Sequence, residues 1–227
     1  MKVSGSVLSI IVILAGVAVL QFFQGRKINV GLMRLFIQGF EKKLKIKDQL
    51  YTLIGEYSGF RVNYDLSDKY INNVEMSLTL LPRQSLFYLP FSFMVKRGDR
   101  LFIVLRPKFR VRNDAHIIQN FYYLFGPDIQ EKEDLEKGKV IFEKKEGFYS
   151  LTNDKYTLDK LKKLAESSLD VRRLRHICVV KRTNVLFCLI KPDPLKTPDE
   201  VKKLVENFPK IFKEEKRETE ILEELKS

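Results

Sequence analysis

The sequence predicts an α+β protein in which one N-terminal transmembrane helix precedes a cytosolic domain of antiparallel strands with covering helices and a charged C-terminal helix. Three observations support this class. An uncharged apolar run opens the chain, several segments alternate apolar and polar residues as strands do, and others repeat apolar residues at helical spacing. With 227 residues, 44% of them hydrophobic, the chain can bury a core beyond the apolar run.

The predicted membrane anchor occupies residues 1–25. The stretch from Val7 to Phe23 contains no charged residue, and its length is near the shortest that crosses a bilayer as a helix. A cleaved secretory signal is the alternative, which the lack of a small-x-small cleavage site after the run disfavours. Lys2 is the one basic side chain before the run and many follow it, so the positive-inside bias predicts a cytosolic C-terminal side.

An amphipathic basic juxtamembrane helix is predicted over residues 26–54. Leu32, Phe36, Phe40 and Leu44 recur every four residues, which gives the helix one apolar face. This face fits two arrangements equally well: a helix lying on anionic lipid, or a helix packed on the domain core. The candidate membrane-surface residues of the first arrangement are Lys42, Lys43, Lys45 and Lys47.

The remaining sequence predicts a domain over residues 55–209 and a charged helical tail over residues 210–227. Apolar alternation predicts strands over 60–66 and 74–80, and turn signals predict two hairpins. The first hairpin pairs residues 93–95 with 101–105, and the second pairs 174–180 with 185–190. The predicted helices span 82–89, 113–125, 157–168 and a segment starting at the capping box of Thr197, with a loop over 126–139 and a strand over 140–142.

The sequence contains no recognisable active site. The sequence contains no nucleotide-binding, hydrolase or zinc-protease motif, and its two histidines, His116 and His176, are sixty residues apart. Histidines inside predicted structure are more often structural than ligands. Cys178 and Cys188 lie in neighbouring apolar runs, where buried free thiols are favoured over a disulfide. We therefore expect a binding protein with no metal and no cofactor.

The charge of the chain points to an anionic partner. It carries 41 Lys and Arg against 29 Asp and Glu, a formal net charge of +12, which suits nucleic acid, anionic lipid or an acidic protein surface. In an extended chain, alternate residues from 106 to 112 would place four cations on one side. The candidate phosphate-binding residues are Lys96, Arg97, Arg100, Arg106, Lys108, Arg110 and Arg112. A strand edge protected by charge is the alternative interpretation.

Three segments share their order with a known family. The apolar run is followed by GRKINVGLMRLFIQGFEKKLKIKDQLYTLIGEYSG, the middle contains LLPRQSLFYLPFSFMVKRGDRLFIVL, and the last quarter contains KRTNVLFCLIKP. In this order they resemble the calumin-like family, coiled-coil-domain-containing membrane proteins of the endoplasmic reticulum that are subunits of the PAT complex of the multipass translocon. The resemblance spans roughly residues 7–215. Two family features differ, since the acidic lumenal segment is absent and the coiled coil is reduced to about fifteen residues.

The resemblance implies a non-enzymatic factor in the endoplasmic reticulum membrane with its domain in the cytosol. Such a factor supports insertion and chaperoning of multipass membrane proteins at the ribosome-translocon junction. Its implied partners are the Sec-type translocon, ribosomal RNA and the other subunits of the PAT complex and multipass translocon. Calcium binding is not carried over, because the acidic segment is missing. The alternative is a membrane-anchored lipid-surface tether or lipid-binding module that uses the basic juxtamembrane helix.

Overall fold

The computed structural model describes residues 5–86, 88, 98–124, 135–142 and 145–213. Helix α1, Gly5–Lys43, is one continuous helix of 39 residues, about 58 Å long at the usual rise per residue. Its N-terminal half is exposed, with a mean hydropathy of 2.5 over its most apolar window. The predicted N-terminal helix is confirmed, and it is long and apolar enough to cross a membrane.

The C-terminal half of α1 packs on the domain. Met33, Phe36 and Phe40 are buried there, and Leu44 is buried just after the helix ends. Packing on the core is therefore the arrangement that the apolar face adopts. The predicted helix over residues 26–54 was wrong in its second half, because α1 ends at Lys43 and a strand follows. The four-residue apolar period also stops at Leu44, so the helical signal ends where the helix does.

Nine strands form one sheet in which every described pair is antiparallel. The strands are β1 (Ile46–Leu53), β2 (Gly59–Leu66), β3 (Ile71–Thr79), β4 (Arg100–Pro107), β5 (Ala115–Gln119), β6 (Lys137–Phe142), β7 (Lys145–Thr152), β8 (Leu174–Val180) and β9 (Val185–Ile190). Their order across the sheet is β1-β2-β3-β4-β9-β8-β5-β7-β6. The β8–β9 hairpin is thus inserted between β4 and β5, which joins the two halves of the chain in one sheet.

Three helices cover one face of this sheet. Among the described residues, the helices after α1 include α2 (Asn120–Leu124), α3 (Lys155–Ser168) and α4 (Thr197–Lys213), and a short 3-10 helix covers Val171–Arg173. Helix α1 contacts α4 and β2, and α3 contacts α4, β5, β7 and β8. Ile103 and Ile177 from the sheet pack in one buried cluster with Leu161 of α3 and Leu204 of α4. The core therefore lies between the sheet and the layer of α1, α3 and α4.

Most predicted elements of the domain are confirmed. The structure has the strands expected at 60–66, 74–80 and 140–142, the hairpin of β8 and β9, and helices α3 and α4. Helix α4 contains Pro209 and continues through it to Lys213. Cys178 and Cys188 are buried free thiols, as expected. Across the hairpin Cys178 pairs with Phe187, and Cys188 pairs with Ile177. The two cysteine side chains therefore point to opposite faces of the sheet.

The helix predicted over residues 113–125 is the clearest error in this part of the domain. Residues Ala115–Gln119 form β5, a central strand, and helix α2 occupies only the five residues that follow. Every residue of β5 is buried, so the strand shows no alternation that could identify it. A short, fully buried segment in which apolar and polar residues do not alternate fits helix and strand equally well.

Several predictions fall outside the described residues. They concern the strand at 93–95, most of the loop at 126–139 and the tail after Lys213. Part of the helix expected at 82–89 is also outside, and residues 83 and 84 form a turn.

Candidate functional site

The loop after β3 is held tightly against α1. Asn29 is completely buried on the helix, where its Nδ2 donates to the carbonyl oxygens of Tyr57 at 2.8 Å and Leu81 at 2.9 Å. Its Oδ1 accepts a hydrogen bond of 2.9 Å from Nη1 of Arg83. About two turns before Asn29 on the same helix, Gln21 Nε2 donates to the carbonyl oxygen of Arg83 at 2.7 Å. These bonds fix the loop at the end of the apolar run.

A glycine and an ion pair complete this junction. Gly25 is buried, and a Cβ atom at this position would collide with the backbone of Arg83. The Arg83 guanidinium pairs with both carboxylate oxygens of Asp99, at 3.1 and 2.7 Å. Asp99 Oδ1 also accepts from the backbone N–H of Leu81 at 2.8 Å. The start of β4 is therefore tied to the same point on α1 as the loop.

The pairing of β3 with β4 shows which end of the sheet lies next to the clamped loop and which end lies farthest from it. Arg100 pairs with Thr79 beside the clamped loop, and this end is called span-proximal. The opposite end of β4, at Pro107, is called span-distal. There Ser67 donates its N–H to the carbonyl oxygen of Lys45 at 3.0 Å, just beyond the end of α1. The part of α1 after the apolar run rises about 30 Å, so this is the separation of the two ends along the helix.

Basic residues collect at the span-distal end, where the segment after β4 meets the turn between β8 and β9. Asn184 joins the two segments, because its Nδ2 donates to the carbonyl oxygen of Phe109 and its Oδ1 accepts from the N–H of Val111, both at 2.9 Å. All the cations here are exposed. We call this region the distal basic corner, and it consists of Lys108, Arg110, Arg112, Lys181 and Arg182.

The predicted cationic strand over residues 106–112 needs correction. Strand β4 ends at Pro107, so the four cations do not share one side of an extended segment. Arg106 forms an ion pair of 2.5 Å with Glu75 on β3, and Lys108 Nζ donates to the carbonyl oxygen of Asp68 at 2.7 Å. Proline cannot donate to a ladder, which favours the end of the strand at this position.

Arg100 lies apart from the predicted phosphate ligands between residues 106 and 112. It lies at the opposite end of β4 from Arg106, about 20 Å away along the strand. Lys96 and Arg97 lie outside the described residues. The described members of the predicted cation group are therefore divided between the two ends of the sheet.

Arg100 instead lines a cavity of about 620 Å³ at the span-proximal end. We call this the span-proximal cavity, and its polar lining consists of Arg83, Asp99, Arg100, Gln119, Tyr122, Arg175 and Lys191. Gln119 Oε1 accepts a hydrogen bond from Arg175. Burial, together with the charge of Arg100, lowers the pKa of the Arg175 guanidinium. Like charges are thus held close together in this cavity.

The predicted membrane-surface lysines lie at the other end of α1. Lys42 and Lys43 end the helix, about 30 Å along its axis from the apolar run, and Lys45 and Lys47 follow. Lys43 pairs with Asp199 of α4 at 2.6 Å. This position argues against contact between these lysines and the headgroups that would border the apolar run.

His116 and His176 come together on the sheet face opposite the helices. His116 Nδ1 and His176 Nε2 are 3.2 Å apart, a hydrogen-bonding distance, and burial lowers the pKa of the first to about 4 and of the second to about 3. Cys178 completes a group whose ligand atoms lie within 4.8 Å of one another, and burial raises the pKa of its thiol.

This group could hold a metal ion only after the thiol loses its proton. The hydrogen bond between the rings already satisfies one polar atom of each histidine. All three side chains are less than a tenth exposed. The geometry is that of a buried structural pair, and it offers no surface to a substrate.

Sequence reasoning missed the basic residues that complete both regions. Lys181 and Arg182 occupy a turn that the sequence does predict, but only the fold shows that this turn meets the segment after β4. Arg175 is the second residue of β8 and Lys191 directly follows β9, so the register places both at the open end of the hairpin. A systematic listing of charges at the ends of predicted hairpins would have found them.

No protein-family model matches the chain, and neither does any curated protein.

Proposed function

We propose that the chain is a non-enzymatic membrane factor that presents the distal basic corner to the phosphates of ribosomal RNA beside a Sec-type translocon. In this role it supports insertion and chaperoning of multipass membrane proteins in the endoplasmic reticulum, as the resemblance to the calumin-like family implies. The observation that carries the proposal is the continuity of α1, which passes from an apolar half directly into the core of a basic domain.

The geometry supports this proposal in two steps. The clamped loop fixes the sheet to α1, so an apolar half that crosses a bilayer would hold the domain in one orientation against it. The distal basic corner would then face away from the membrane, about 30 Å beyond the apolar run. Contacts to phosphate need long, exposed cationic side chains and do not require recognition of the bases. Five such side chains lie at this corner.

Cosedimentation of the full chain with ribosomes tests the proposal. The variant Lys108→Glu/Arg110→Glu/Lys181→Glu should lose most of its binding at physiological salt. Each lost phosphate contact should also lower the log-log salt dependence of binding by about one unit. These side chains are exposed, so the variant should unfold at nearly the wild-type temperature.

A matched variant provides the control. Arg100→Glu/Arg175→Glu/Lys191→Glu changes the charge by the same amount at the span-proximal end and should still sediment with ribosomes. Equal losses in both variants would indicate a response to net charge alone. Undiminished sedimentation of the distal variant would refute the proposed contact.

The lipid-surface tether is a second candidate, and one observation favours it. The span-proximal cavity gathers cations at the end of the domain that is closest to the apolar run. The predicted juxtamembrane lysines do not carry this candidate, because they lie at the span-distal end.

A further inference from the structure

The span-proximal cavity lies where a bilayer would end if α1 crosses it. Gln21 sits two residues before Phe23, the last residue of the apolar run, and its side chain donates to the backbone of Arg83. Arg83 lines the cavity, and so does its ion-pair partner Asp99. The cavity is therefore attached directly to the part of α1 that would reach the headgroup layer.

The charges of the cavity are not balanced by the protein. Among the described lining residues there are four cations and one carboxylate, which leaves a net charge of about +3. The carboxylate belongs to Asp99 and is already engaged by Arg83. Within the part of the chain that the structure describes, Arg100, Arg175 and Lys191 have no ion pair with an acidic side chain.

The arrangement of these cations suits a phosphate group. Two guanidiniums present planar forks that match phosphate oxygens, and an ammonium adds a third charge. An anion bound between these three cations would relieve the repulsion among them. The charge of Arg100 lowers the pKa of the Arg175 guanidinium, which is consistent with this repulsion. The volume of about 620 Å³ lies within the usual range for a site that holds a small molecule.

We propose that the span-proximal cavity binds the phosphate of an anionic phospholipid headgroup in the leaflet that borders the end of the apolar run. Arg100, Arg175 and Lys191 contact the phosphate oxygens, and Tyr122 lies at the wall of the cavity. The proposal rests on the part of the proposed function in which α1 crosses the membrane. It adds a lipid ligand that holds the near end of the domain against the headgroups.

Titration of the full chain in detergent micelles, read by native mass spectrometry, tests this assignment. The probes are dioctanoyl phosphatidylglycerol, dioctanoyl phosphatidylcholine and inorganic phosphate. We expect phosphatidylglycerol to bind most tightly, because it combines a net negative charge with an acyl part that stays in the micelle. Arg100→Gln/Arg175→Gln/Lys191→Gln should raise its Kd by at least about ten-fold, since charge-assisted hydrogen bonds are lost.

The matched control is Lys108→Gln/Arg110→Gln/Lys181→Gln, which removes the same charge from the distal basic corner and should change the Kd by less than about two-fold. Arg175→Lys keeps the positive charge and loses the planar fork, so its Kd should lie between those of the wild type and the cavity variant. Circular dichroism melts of each variant show whether the fold is intact. If the cavity variant melts far below the wild type, Arg100→Gln/Lys191→Gln replaces it and should still raise the Kd several-fold.

Three results would overturn the proposal. The first is a cavity variant that binds phosphatidylglycerol as the wild type does. The second is equal binding of phosphatidylcholine, which would show that net charge is not recognised. The third is equal binding of inorganic phosphate, which would make the free anion the ligand. The cavity variant is also tested with ribosomes, so failure of the lipid site is distinguished from failure of the ribosome contact.

Discussion

Asn29 is the residue whose replacement should most directly weaken the attachment of the domain to α1. It is completely buried, and its amide supplies hydrogens to two backbone carbonyls that come from different loops. Its oxygen also accepts from Arg83. Asn29→Leu keeps a similar volume and removes all of these bonds at once, so it isolates the polar contribution of the site.

The size of the effect follows from the groups left behind. The carbonyls of Tyr57 and Leu81 would lose a donor, and a buried polar group left unpaired costs about 1–3 kcal/mol. The Arg83 guanidinium keeps its pair with Asp99, so it adds little. We therefore expect a loss of about 3 kcal/mol in the free energy of unfolding.

Urea unfolding of the full chain in micelles, followed by far-ultraviolet circular dichroism, measures this loss. The chain has no tryptophan, so tryptophan fluorescence is not an alternative. Gln38→Leu is the matched control, because it makes the same kind of replacement at an exposed position of α1 and should change stability by less than about 0.5 kcal/mol. A loss below about 1 kcal/mol for Asn29→Leu would refute the reasoning, since it would mean that the carbonyls find other donors.

Two further predictions concern acid stability and membrane topology. Burial lowers the folded-state pKa of His116 to about 4 and of His176 to about 3, so their neutral forms stabilise the fold above pH 6.5 and this stability is lost as the pH falls toward those values. Between pH 7 and pH 5 the loss should be about 2 kcal/mol for each histidine, and in urea titrations His116→Leu/His176→Leu should show a flatter pH profile than the wild type; identical profiles would contradict the assignment. Protease added to sealed microsomes should digest the domain after Lys27, and full protection of the domain would reverse the proposed orientation.

The sequence predicts those parts of the fold whose burial is periodic. In β2 and β3 every second residue faces the core, and α3 and α4 bury one stripe, so both kinds of element carry the expected pattern. Strand β1 lies at the edge of the sheet and is largely exposed, which leaves no apolar alternation to detect. Strand β5 fails for the opposite reason, because it is buried on both faces and its two polar residues, His116 and Gln119, do not alternate with apolar ones.

The candidate sites depend on contacts that no local pattern encodes. The sequence identifies Lys108, Arg110 and Arg112 as a dense group of cations, but Arg182 reaches them only through the inserted β8–β9 hairpin. Arg100 and Arg175 are 75 positions apart in the chain and become neighbours because β9 and β8 follow β4 in the sheet. Strand order determines both regions, and strand order is set by long-range pairing.

The separation of the two basic regions determines whether their roles can be tested independently. The length of β4 alone places them about 20 Å apart, whereas the Debye length at physiological salt is about 8 Å. A charge removed at one end therefore changes the potential at the other end very little. Binding lost in only one of the two triple variants therefore reports a contact at that end. The proposed lipid site and the proposed ribosome contact can thus be tested separately.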